Sequence, residues 1–295
     1  MIGLALAQSR MLSAGGLRVS TRAMTALTYM ANASSATFPG GPAIATRYTL
    51  RRLTSWGATA SAAGFSVLAS GLLSGAAFGL LLVTTMLLAA GNLSSILIAA
   101  GPVVAAATFP LLLRRRRVMA AIDRVAELAV LGVSRIRRRS PDRALQRVRQ
   151  MAADLRAIRP RPRDWAAGFA FAGLNLLADV ACLAMSCHAV GGRAGITLTA
   201  TAYVAGMSAA GFAFIPSGIG VTEGAMVLAF QHGHLGAAAA VPCVVCHRLI
   251  SVALVVAVGW LLRAAGPTRK ALVIARIRRA RAASSVAGTS SPISS

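Results

Sequence analysis

Phe212-Ala-Phe-Ile-Pro216-Ser-Gly218-Ile-Gly220-Val-Thr-Glu223-Gly224-Ala-Met-Val-Leu-Ala-Phe230 sets one carboxylate between apolar runs long enough to lie in a lipid bilayer. A charged side chain near the bilayer centre costs roughly 2.5–3.5 kcal/mol on insertion scales, so an acid there points to a function. Pro216 breaks the helix before it, and Gly218 and Gly220 permit backbone that other residues resist. A helix restarting near Gly220 puts Glu223 in its first turn, where the helix dipole favours an anion. Capping alone would not require an acid at membrane depth, so Glu223 leads the candidate site residues. The stretch predicts an all-α, polytopic membrane helix bundle with a broken or re-entrant segment near residues 212–232.

Working outward, composition agrees. The 295 residues are 56% hydrophobic and 13% charged, with a mean hydropathy of +0.68; a soluble domain carries about 25% charged residues. The net charge of +24 raises nucleic acid as a partner, and its distribution argues against it. Sixteen arginines fall between Arg114 and Arg163, and seven basic residues between Arg263 and Arg281. Basic blocks that flank apolar spans follow the positive-inside rule. They also attract anionic phospholipid, by about 1 kcal/mol per residue near the surface. Of the seven acids, only Asp179 and Glu223 lie in apolar stretches. Met1–Ala7 is apolar but short and lacks a basic leader, so it does not read as a cleavable signal peptide.

Three regions follow. Residues 1–57 form an N-terminal segment in which Ala23–Ala36 is too short for a confident span and Phe38-Pro-Gly-Gly-Pro42 is a turn. Residues 58–265 form the transmembrane domain, interrupted by a basic insert over 114–164. Residues 266–295 are a basic and then Ser-rich tail. Ala58–Ala90 and Leu93–Leu113 read as a hairpin of spans with basic ends on one side. Ser140-Pro141-Asp142 reads as a helix start, followed by an amphipathic basic helix that lies on the membrane surface or packs on itself. Trp165–Val190, Ile196–Ile215 and Gly236–Leu262 read as further spans. If both basic blocks are cytoplasmic, an even number of crossings separates them. The Val221–Phe230 stretch then supplies a fourth, or one of the three is re-entrant.

Asn175 and Asp179 share one helix face at i, i+4. With Ala172, Ala178 and Cys182 that face is small and polar, which suits a polar cavity or helix packing. Arg248 either pairs with Asp179 or Glu223 inside the bundle or snorkels at the interface. Cys243-Val-Val-Cys246-His247 matches a haem-attachment pattern, but an apolar setting is wrong for it. A zinc site from Cys182, Cys187, His188, Cys243, Cys246 and His247 would need two spans in register. The four cysteines read best as buried free thiols, with nothing to argue for disulfides. The chain shows no nucleotide-binding loop and no hydrolase or metalloprotease motif, so neither a soluble-type enzyme site nor a cofactor is expected.

These residues carry a resemblance. Pro216-Ser-Gly-Ile-Gly-Val-Thr-Glu223 is similar to the P-x-G-x-G-x-x-E signature of the lysylphosphatidylglycerol synthase transmembrane family. Asn175-Leu-Leu-Ala-Asp179, Arg248-Leu-Ile-Ser and Phe38-Pro-Gly-Gly-Pro…Arg47 resemble that family's other motifs in order and spacing. The resemblance covers about residues 25–265. It implies a domain that moves aminoacylated phosphatidylglycerol between leaflets, while a separate cytosolic domain makes that lipid. About thirty residues follow the last span, so a stand-alone member without the synthase domain is expected. The N-terminus is shorter than the family's usual one or two earlier spans.

The resulting expectation is an inner-membrane protein that binds or translocates a polar-headed lipid. Glu223 and Asp179, with Asn175 beside them, would receive a cationic head group. Arg248 and Arg47 would contact phosphate, and Ser217, Gly218 and Gly220 would line the broken turn. The insert and tail would be cytoplasmic. A secondary transporter with Asp179 or Glu223 as proton carrier, and a non-transporting membrane partner of a separate synthase, are the alternatives.

Overall fold

In a bilayer no water satisfies exposed backbone, so apolar runs of this length must close their hydrogen bonds as helices. A computed structural model describes residues 1–90, 161–212 and 218–265, with positions 146, 150, 154, 158 and 160 between them. All regular structure among these residues is helical. The Leu93–Leu113 span, most of the basic insert, Ser217 and the tail lie outside the described residues.

Three short helices open the chain: α1 (Ile2–Ala14), α2 (Thr21–Thr37) and α3 (Gly41–Ser55). The long α4 (Ala60–Ala90) and α5 (Pro162–Ala189) follow. Then come α6 (Ile196–Phe212), α7 (Val221–His232) and α8 (Ala237–Arg248). A five-residue π turn, Leu249–Ala253, joins α8 to α9 (Leu254–Ala264). Among the described residues, three stretches are long and apolar enough to cross a membrane: Ala60–Leu88, Pro162–Ala189 and Ala237–Ala264.

Contacts fix the helix directions. Phe65 meets Trp165 edge-on and Leu73 lies against Gly168, so α4 runs parallel to α5. Gly3 lies against Asn175 and Met11 against Gly168, so α1 runs antiparallel to α5. Ala239 approaches Gly192 and Cys243 is bonded to Cys187, so α8 is antiparallel to α5 as well.

Helices α6 and α7 form a hairpin in which Leu198 meets Gly233, Met226 meets Gly206 and Ala210 meets Gly218. Their 17 and 12 residues give roughly 25 and 18 Å of rise, short of a ~30 Å hydrocarbon core. The hairpin enters and leaves at one end of α5, so the crossings by α5 and by α8–α9 are even in number. Arg161 and Arg263 therefore stand at the same end of the bundle.

The N-terminal helices pack onto this frame. Helices α2 and α3 form a second hairpin, with Ser35 against Gly41 and the Tyr48 hydroxyl donating to Met30 Sδ at 3.3 Å. Helix α2 crosses α9 closely, because a Cβ at Gly259 would stand 2.5 Å from the Tyr29 carbonyl oxygen; only glycine fits.

The two halves of the chain repeat one motif. A helix (α1; α5) leads into a hairpin (α2–α3; α6–α7) whose two arms are separated in sequence by Pro39-Gly40 or by Pro216-Ser-Gly218, and a long helix follows (α4; α8–α9). Corresponding helices run in opposite directions, since α1 opposes α5 and α4 opposes α8–α9. Such inverted repeats commonly place sites at broken helices near the bilayer midplane. Sequence reasoning missed this repeat; the paired Pro-Gly sequences were the available signal.

Candidate functional site

The turn before α7 is built by glycine. Gly218 and Gly220 adopt φ of 64° and 89°, in the region that L side chains rarely occupy. A Cβ at Gly218 would also stand 2.5 Å from Thr222 Oγ1. The chain can then restart as α7 with Glu223 in its first turn.

The Glu223 carboxylate uses both oxygens. Oε2 accepts from the Gly220 backbone N–H at 2.6 Å, and Oε1 accepts from Arg248 Nε. Capping and site formation are thus simultaneous. The pair is half-buried, with 26% of the Glu223 side chain and 16% of Arg248 exposed. A charge pair withdrawn this far from solvent is tolerable because each ion neutralises the other. Arg248 is paired, which decides between the two expectations for it. It is the last residue of α8 and directly precedes the π turn, a distortion that often marks functional positions.

Helical rise brings the candidate residues to one level. Asp179, Glu223 and Arg248 each lie roughly 14–17 Å from the helix end nearest Gly191, Gly233 or Gly236. Asp179 accepts a long hydrogen bond, 3.5 Å, from the Tyr203 hydroxyl of α6. The Tyr203 ring meets His247 edge-on at 6.3 Å, and His247 is the neighbour of Arg248. Helices α5, α6, α7 and α8 thus each contribute a polar group. Asn175, one turn from Asp179, accepts from the Met1 amino group through Oδ1.

Arg47 is elsewhere. It is exposed on α3 beside Tyr48, which meets Arg263 at the far end of α9. About 22 Å of helix separates Arg263 from Arg248.

Sequence reasoning missed three members of the site. Tyr203 is buried, and so are His247 and Thr222, at 2% and 0% exposure. His247 Nδ1 and Thr222 Oγ1 have no hydrogen-bond partner among the described residues. Buried polar atoms rarely stay unpaired, so each leaves a hydrogen bond for water or a ligand to complete. The signal for Tyr203 was a hydroxyl-bearing ring in an otherwise apolar run; His247 drew notice only within the Cys-x-x-Cys-His pattern.

The cysteines require a correction. Cys187 and Cys243 form a disulfide, with Cα atoms 4.5 Å apart, while Cys182 and Cys246 are free. The expectation of four free thiols failed because it gave no weight to α5 and α8 meeting in antiparallel register. With Cys243 bonded to Cys187, the Cys243–Cys246–His247 pattern lacks one of its two thiols for haem attachment. Among the described residues, no three His, Cys, Asp or Glu side chains group as a metal site.

Apolar spans around a broken hairpin, with an ion pair at its tip, define a multi-pass membrane protein with a polar centre. The family described as "Lysylphosphatidylglycerol synthase TM region" matches residues 1–259, and the chain belongs to that family. Comparison with curated proteins and with solved structures gives no match.

Proposed function

We propose that the protein binds a polar-headed phospholipid, or a related lipid-linked substrate, and moves it between leaflets. The observation carrying this reading is the Glu223–Arg248 pair at the tip of the α6–α7 hairpin. A head group bearing both an amine and a phosphate, as an aminoacylated phospholipid does, could exchange partners with such a pair. Its amine would take Glu223, and its phosphate would take Arg248. Thr222 Oγ1 and His247 Nδ1, without partners among the described residues, add hydrogen-bonding capacity at the same level. The role is binding and transfer rather than bond-making. We place the chain in the cell inner membrane, with the Arg161–Arg263 end cytoplasmic by the positive-inside rule.

The test is transfer of headgroup-labelled aminoacyl phosphatidylglycerol in reconstituted vesicles, read by an impermeant reagent. Wild type should accelerate exposure of the label, and Glu223→Gln, which keeps shape and removes charge, should abolish it while inserting normally. Unchanged transfer by that variant would exclude the carboxylate from recognition.

The Asp179–Tyr203–His247 series favours one second reading, a proton-coupled transporter of a small solute. Uptake driven by a pH step in the same vesicles, without lipid transfer, would select it. Neither activity in the presence of a separate synthase would leave the scaffold role.

A further inference from the structure

The α2–α3 hairpin carries a second constellation, distant from Glu223. In the last turn of α9, the Arg263 guanidinium lies over two rings, Tyr48 at 5.0 Å and Trp260 at 5.3 Å. Both rings are anchored. The Trp260 indole N–H donates to Thr37 Oγ1 at 3.1 Å, and Phe38 meets the indole edge-on at 6.1 Å. The Tyr48 hydroxyl is held by Met30 Sδ. Stacking engages the face of a guanidinium and leaves its in-plane N–H groups to receive an oxyanion.

Helix α3 adds more positive charge. Arg47 and Arg51 are exposed and share one face at i, i+4. Arg52 lies 5.9 Å from the Trp56 ring centre, and its Nε has no partner among the described residues. Helices α2, α3 and α9 contain no acidic residue. Among the described residues none of these four arginines makes an ion pair, and Asp154, near the start of α4, accepts from Ser61. Clustered arginines without carboxylates produce a strong positive potential that an anion would relieve.

The surroundings say which anion. Phe38 and Ile44 are 40% and 42% exposed, and Trp260, Tyr48 and Trp56 are half-buried beside the arginines. Arginine among aromatic rings at the end of a membrane-length helix matches the headgroup layer, where rings sit between acyl chains and water. A free anion would have no use for the apolar rim; a phospholipid satisfies both parts.

We infer that Arg263, Arg47 and Arg51, with the Tyr48–Trp260 clamp, form a docking site for the phosphate of an anionic phospholipid in the leaflet at the Arg161–Arg263 end. This rests on the lipid-transfer reading and extends it: the dock is a loading station, and the Glu223–Arg248 pair is a second station deeper in the bundle. The π turn Leu249–Ala253 lies between them on one continuous helix.

The experiment is native mass spectrometry of the full-length protein in detergent, with phosphatidylglycerol and phosphatidylcholine offered in equal amount. Wild type should retain phosphatidylglycerol preferentially. Each arginine removed should lower that retention about fivefold. Arg47→Gln/Arg51→Gln leaves the ring clamp intact and guards against loss of folding; Arg263→Gln tests the clamped cation itself. Lipid transfer in vesicles is read separately for wild type and for both arginine variants, so the dock and the transfer reading can fail separately. Equal retention of the two lipids by wild type, or an undiminished preference in both arginine variants, would overturn the dock. Displacement of the lipid by inorganic phosphate at equal concentration would also overturn it.

Discussion

Glu223 and Arg248 meet across α7 and α8, and the glutamate reaches back at the same time to the Gly220 N–H that starts its own helix. One carboxylate therefore ties the turn to the neighbouring span. Removing either partner leaves a charge without its counter-ion in a partly dry setting.

Stability should show that coupling. Arg248→Gln should destabilise the protein in detergent by about 2 kcal/mol, because Glu223 loses its partner. The double variant Glu223→Gln/Arg248→Gln should recover part of the loss. A double-mutant cycle by thermal denaturation measures this, and strictly additive effects would show the contact carries no coupling.

The turn itself gives a separate prediction. Gly220→Ala should cost roughly 1–2 kcal/mol, since its φ of 89° suits glycine alone. Gly218→Ala should cost more, because its Cβ also meets Thr222 Oγ1. Equal stability of both variants to wild type would mean the turn is not held as described.

Thiol counting tests the disulfide. Denatured, unreduced protein should react at two cysteines, Cys182 and Cys246, and at four after reduction. Four reactive thiols before reduction would contradict the bond.

Orientation can be read on that background. With Cys182 and Cys246 replaced by alanine and the disulfide kept, Arg193→Cys should label from outside intact cells. Ser140→Cys should label only after permeabilisation. The reverse pattern would invert the proposed topology.

Much of this architecture was legible in the sequence because bilayer physics leaves few options. Long apolar runs had to be helices, and Gly218 and Gly220 marked where one begins anew. Glu223 stood out because an acid is rare in such a run. Arg248 was named as a partner, yet only the packing of α7 on α8 selected Glu223 for it. Thr222 was invisible because a threonine hydroxyl in an apolar helix has an ordinary alternative, bonding within its own backbone, and Tyr203 because a tyrosine in a span has one too, as an interfacial anchor. The Cys187–Cys243 bond depended on the register of helices whose sequences, 56 residues apart at these positions, carry no mark of it. Arg47 was assigned to the same phosphate as Arg248 because linear order contains no depth.

The disulfide has one further consequence. It joins the first helix of the second half to the last, with the α6–α7 hairpin enclosed in the loop between them. That half is cross-linked into a closed frame, so shear of α5 against α8 near the bond is restrained. If the protein passes a head group as proposed, the opening would fall along the seam where α1, α2 and α4 face α5, α6 and α9. Under the lipid-transfer proposal, the cross-linked half would be the part that keeps its shape and the other half the part that moves.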